Sequence, residues 1–187
     1  MQEKLSPSGK EIPSHSDNSK VLLDNLNIQN GLIKLAEELN NDMKDNAPLF
    51  LCVVNGAIVF TGQLLPLLNF PMTLDYVHVS RYKNNQAGDL EWKHYPSKNI
   101  NGSHVVIIDD VLDSGITISA IRDWCLSQGA LSVETVVLLE KEIDRNPEVI
   151  QHANYSVFKI GKEFVYGFGL DNDEYWRNTK DIHVFED

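Results

Sequence analysis

The chain has 187 residues, 42% of them hydrophobic, which fits one globular domain with a substantial core and leaves little room for two. A formal net charge of -11 argues against a duplex nucleic-acid surface, which needs clustered Lys and Arg to neutralise phosphates. Residues 1–20 are polar, without an apolar h-region, and no later run reaches the length of a membrane span, so the expected location is cytoplasmic. Cys52 and Cys125 lie in apolar contexts without metal-ligand spacing and are expected to be buried and reduced.

The first 20 or so residues read as a loosely ordered arm. Ile28, Leu32, Leu35, Ala36, Leu39 and Met43 then recur at helical spacing, which predicts an amphipathic helix ending near Asn46. Pro48 to Val54 has strand length, and Gly56 leads through Ala57, Ile58, Phe60 and Leu64 into a second helix. Thr73 to Tyr82 alternates β-branched and aromatic residues, with Glu91 to Tyr95 as a returning partner across a polar, mobile stretch.

Val105 to Ile108 is an unbroken β-branched run, the pattern of a parallel strand covered on both faces. Asp109 and Asp110 follow at its expected carboxyl end, where open α/β sheets place their ligands. Asp113-Ser114-Gly115-Ile116-Thr117 then supplies hydroxyls, a permissive Gly and backbone N–H groups opening a helix, a cradle for phosphate beside a divalent-metal site. Asp113 next to an anion is electrostatically costly, which suggests general acid/base work; its plain alternative is a helix cap.

Ile118, Ile121 and Cys125 mark the helix after the cradle, closed by Gly129, and Val133 to Leu139 reads as another buried strand. Strands alternating with helices predict an α/β fold with a mainly parallel, doubly wound sheet. Tyr155 to Ile160, Phe164 to Phe168 and Asp181 to Phe185 are strand candidates without intervening helices, expected to build a small accessory hood with the N-terminal arm. The whole of residues 1–187 is read as a single domain.

The run of residues 105–117 resembles the phosphoribosyl-pyrophosphate (PRPP) motif of type I phosphoribosyltransferases. Phe164 to Asp171, followed by Glu174-Tyr175-Trp176-Arg177, resembles the purine-binding segment of the hypoxanthine-guanine branch, as does Leu138-Leu139-Glu140-Lys141. The resemblance spans about Asn46 to Arg177. It implies that Asp109 and Asp110 hold the ribose and Mg²⁺, that Asp113, Ser114, Gly115, Ile116 and Thr117 hold the 5'-phosphate end, and that Asp113 is catalytic. It further implies that Phe164 stacks on the purine, the Val165 backbone reads its edge, Lys141 meets O6, Asp171 holds Mg²⁺ through water, and Arg177 faces pyrophosphate.

Val53-Val54-Asn55-Gly56-Ala57 is similar to the family's pyrophosphate loop, giving roles to Asn55 and Gly56. Arg81-Tyr82 stands where the family usually carries Ser-Tyr at the start of a mobile loop; Tyr82 is retained, and Arg81 replaces a small hydroxyl. His78, His94 and His104 receive no catalytic role, and Trp92 and Trp124 are read as packing.

The activity implied by the resemblance is Mg²⁺-dependent transfer of 5-phosphoribosyl to N9 of hypoxanthine or guanine, giving IMP or GMP plus pyrophosphate, under a lid near residues 81–92. Association as a homodimer or homotetramer is implied with it. Two alternatives stand beside this reading: transfer to xanthine or another base, and a noncatalytic regulator that senses PRPP and binds nucleic acid. The acidic charge disfavours the regulator.

Overall fold

The computed structural model describes residues 19–81 and 90–186, with the backbone but not the side chain of Arg81. Tyr82, residues 83–89 and residues 1–18 of the expected arm therefore lie outside the described residues. After β1 (Ser19–Leu23), helix α1 (Asn25–Asp42) starts where the Asp24 carboxylate accepts a 2.8 Å bond from the Asn27 amide. It buries the periodic set Ile28, Leu32, Leu35, Ala36 and Leu39, and stops four residues before Asn46. Strand β2 (Leu49–Val53) is buried throughout, the signature of a strand covered on both faces. Helix α2 (Ile58–Leu64) tightens into a 3₁₀ turn at Leu65–Leu67, where Pro66 lacks the amide an α-helix needs.

Next come β3 (Thr73–Arg81), β4 (Leu90–His94), β5 (His104–Leu112), α3 (Ile116–Ser127), β6 (Ser132–Lys141) and β7 (Tyr155–Ile160). The main sheet runs β4-β3-β2-β5-β6-β7, parallel throughout except for β4, which pairs antiparallel with β3 at one edge. Phe50, Cys52, Val106, Ile108, Val136 and Leu138 face a core shared with α1 and α2. Leu49, Leu51, Val53, Val105 and Ile107 face the opposite core, with Ile121 and Cys125 of α3. Helices thus cover both faces, as the doubly wound pattern requires.

A second sheet of three strands has the order β1-β9-β8, where β8 is Val165–Tyr166 and β9 is Ile182–Phe185. Its Val165, Ile182 and Val184 join the α1/α2 core. Residues 155–160 depart from expectation: they form the edge strand β7 of the main sheet rather than part of the hood. The reason is pairing, since Val136 to Lys141 offers β7 a parallel partner from Tyr155 to Ile160. Among the described residues no helix is long and apolar enough to cross a membrane.

Candidate active site

Strand β5 does not end at Ile108. Its ladder with β6 continues to Leu112 opposite Glu140, so Asp109 and Asp110 sit within the strand rather than beyond its end. Alternation sends them to opposite faces. Asp109 is buried, and its Oδ1 accepts a 2.9 Å bond from the Asp110 amide. Burial, followed by the charge of Asp110, pushes the Asp109 carboxyl well above the usual range. Burial raises Asp110 as well, against the opposing pull of Arg177.

Such a pair is costly unless something compensates it, and the surroundings are built for that. Both acids line a cavity of about 980 Å³ above the carboxyl ends of the parallel strands. Asn55 and Gly56 form one part of its wall, after a cis Val54-Asn55 peptide. A Cβ on Gly56 would strike Oδ2 of Asp110, so only a glycine lets this loop come so near the acid. A Cβ on Gly169, at φ +106°, would likewise clash with the Gly56 carbonyl, so a glycine there lets the segment carrying Asp171 and Arg177 sit against the loop.

The turn after β5 supplies Asp113, Ser114, Gly115 and Thr117 to the same cavity. Gly115, at φ +79°, is the N-cap of α3, with no side-chain cap bond; Asp113 is therefore not the cap. A Cβ on Gly115 would lie 2.7 Å from the Ile150 carbonyl, so the residue is constrained by space as well as by conformation. Backbone amides and the positive end of the helix dipole at this turn suit an anion.

Arg177 reaches the cavity with its Nη2 2.8 Å from Oδ1 of Asp171, and its Nη1 donates to the Gly169 carbonyl at 2.8 Å. Oδ2 of Asp171 accepts from the Glu174 amide at 2.8 Å. Lys141, at the end of β6, pairs its Nζ with Oδ1 of Asp113 at 3.5 Å. Val165 is buried in β8, and the Phe164 ring is exposed beside Phe185, with centroids 6.0 Å apart. Lys141, Phe164, Val165 and Ile116 do not line the cavity; Lys141 is joined to it through Asp113.

Among the described residues no group of three or more His, Cys, Asp or Glu side chains could by itself hold a metal ion, and Asp171 does not complete a ligand set with Asp109 and Asp110. Two adjacent carboxylates at a cavity, Asp109 buried and Asp110 half-buried, fit Mg²⁺ nonetheless, because this ion takes one or two carboxylates and fills its shell with water and substrate phosphate oxygens.

The opposite wall carries His78 and Ser80 of β3 and Glu91 and Lys93 of β4, none of which the sequence reading placed there. Ser80 Oγ donates to Glu91 Oε2 at 3.4 Å, and Lys93 Nζ lies 3.9 Å from the same oxygen. Their period-two spacing on each strand was a visible signal, but its meaning depends on the β3–β4 register.

Residues 18–173 match the family model described as a phosphoribosyl transferase domain. The hypoxanthine-guanine phosphoribosyltransferase of Streptococcus pneumoniae is 32% identical over 92% of this chain and 96% of its own length. The bifunctional TilS/HprT protein of Listeria monocytogenes is 34% identical over 92% of this chain, which spans only 26% of that longer protein. Among solved structures, the hypoxanthine phosphoribosyltransferase of Trypanosoma cruzi, in complex with the product IMP, superposes with a TM-score of 0.83 at 28% identity, covering 93% of this chain and 98% of that one. The chain belongs to the phosphoribosyltransferase family, in its hypoxanthine-guanine branch.

Proposed function

We propose that the chain transfers 5-phosphoribosyl from PRPP to N9 of hypoxanthine or guanine, releasing pyrophosphate and forming IMP or GMP. The observation that carries this reading is the Asp113–Lys141 pair, which joins the phosphate turn to the end of β6. A cation beside a carboxylate suits a 6-oxopurine: Lys141 donates to O6, while Asp113 accepts the proton lost from the ring as N9 attacks. Adenine offers an amino group at that position, and Lys141 has no acceptor for it.

The C1–O bond to pyrophosphate breaks as the N9–C1 bond forms, and the bonding pair leaves with the pyrophosphate oxygen. Arg177 and the backbone of the Asn55-Gly56 loop, all lining the cavity, are assigned the negative charge that develops there. Asp109 and Asp110 are assigned the ribose hydroxyls and Mg²⁺, which when bound supplies positive charge to the donor's oxygens. Asp171 orients Arg177 through their 2.8 Å pair. Phe164 is assigned the purine face and Val165 its edge, which the exposure of the Phe164 ring supports.

The chain is further proposed to act as one domain, with the small sheet as its hood, in a cytoplasmic homodimer or homotetramer. The deciding experiment is nucleotide formation with Mg²⁺ and PRPP over hypoxanthine, guanine, xanthine, adenine and uracil. IMP and GMP are the expected products; adenine or uracil as the preferred base overturns the Lys141 assignment.

A further inference from the structure

We propose that Arg145 is the positioning residue that sets Lys141 against Asp113, an inference that rests on the phosphoribosyl-transfer reading and deepens it. The β5–β6 ladder ends at Leu112 opposite Glu140, and the next residue, Lys141, pairs only outward with Ile160 of β7. No ladder bond therefore fixes the backbone of Asp113 relative to that of Lys141, although their side chains meet at 3.5 Å.

The Arg145 guanidinium spans this gap. Its Nε donates to the Asp113 carbonyl at 2.6 Å, and its Nη2 donates to the carbonyls of Leu112 at 2.9 Å and Lys141 at 2.6 Å. Its Nη1 donates to the Gln151 carbonyl at 2.8 Å. One planar cation thus holds the main chain at both residues of the pair. The Gln151 bond extends the hold to the segment whose Ile150 carbonyl crowds Gly115, and the Ile150 amide is itself tied to Ser119 of α3 at 2.8 Å.

The chemistry suits arginine alone. Strand ends leave carbonyls without ladder donors, and a buried acceptor without a partner is costly. Guanidinium offers five N–H donors in a rigid fork, whereas a lysine ammonium is a compact point donor that does not span carbonyls on two strands. Arg145 is not assigned contact with either substrate. Its action is to fix the place from which Asp113 handles the ring proton and Lys141 reads O6.

The test is a double-mutant cycle between Arg145 and Lys141, with kcat and KM measured separately for PRPP and hypoxanthine and thermal unfolding recorded for every variant. Arg145→Gln is expected to lower kcat/KM for hypoxanthine by about tenfold or more, to narrow the hypoxanthine-over-adenine ratio, and to move KM for PRPP little. In a Lys141→Met background the same substitution is expected to cost less than in the unaltered chain and no longer to change the hypoxanthine-over-adenine ratio, because the group that reads O6 is gone and only the placing of Asp113 is still lost. Arg145→Lys carries the cycle if the Gln variant does not fold: it keeps the charge and one of the carbonyl bonds, so it is expected to fold while the base ratio stays narrowed. Fully additive losses, or an unchanged base ratio in a folded variant, overturn the role of Arg145. Failure of the unaltered chain to form any nucleotide overturns the transfer reading instead.

Discussion

Nζ of Lys141 stands 3.5 Å from Oδ1 of Asp113, so the end of β6 and the turn after β5 share one charge pair inside the proposed two-substrate site. Neutralising the acid removes both the proton acceptor and the partner of the lysine. Asp113→Asn is expected to reduce turnover by about 10²- to 10⁴-fold, the usual worth of a positioned general base, while PRPP still binds. Steady-state nucleotide formation read beside calorimetric titration of PRPP checks both halves. Undiminished turnover removes Asp113 from the mechanism.

Two glycines give opposite expectations for the same change. At Gly56 an added Cβ meets the Asp110 carboxylate, whereas at Gly62, inside α2, it meets nothing within 4 Å. Gly56→Ala should raise KM for PRPP strongly and destabilise the fold by about 1–3 kcal/mol, the range for overpacking. Gly62→Ala should stabilise it by about 0.5–1 kcal/mol through helix propensity, with kinetics unaltered. Urea unfolding and a PRPP saturation curve on both variants make the comparison.

Asp75 gives the fold an acid-sensitive clamp. Its Oδ2 accepts from the amides of Ser97 at 2.7 Å and Lys98 at 2.8 Å, and its Oδ1 from that of Tyr76 at 2.8 Å. Burial raises its pKa, but the amide bonds outweigh burial and hold the carboxyl below its ordinary value. A folded pKa below the unfolded one means stability that is present above the unfolded pKa and lost as pH falls through the folded pKa. Asp75→Asn should therefore cost about 1 kcal/mol near neutrality and progressively less toward about pH 3. Urea midpoints across that range test the sign; a cost that grows on acidification contradicts it.

Both thiols should be silent in the native protein. Burial pushes the Cys125 thiol up to about 12. Burial also raises Cys52, despite the Thr61 hydroxyl donating to its sulfur at 3.2 Å. Little thiolate is then available to react. A chromogenic disulfide reagent is expected to find no fast thiol in native protein and two after denaturation.

Much of the fold was written locally. The run Val105 to Ile108 could only be a doubly covered strand, and the helical spacing of Ile28 to Leu39 left α1 one buried face. The membership of β7 was not local: its alternation would suit either sheet, and only the parallel partner on β6 decides. At the site, residues 109–117 were legible because the motif is contiguous, although the ladder carries the strand four residues past Ile108, to Leu112. Arg145 was not legible, because its carbonyl partners come from separate segments and any residue type can supply a carbonyl. His78 and Lys93 were missed for a related reason, since a hairpin register selects which side chains face the cavity.

The three-stranded sheet has β9 at its centre, with β1 along one side and β8 along the other. Ser19 also accepts a 2.8 Å hydrogen bond from the Tyr166 hydroxyl, so the first described strand is tied into β8 as well. Shortening the chain past Leu23 would leave β9 with a bare edge of unpaired amides and carbonyls. Such an edge is a template for strand addition by another molecule. Residues that do not line the cavity therefore guard the protein against aggregation.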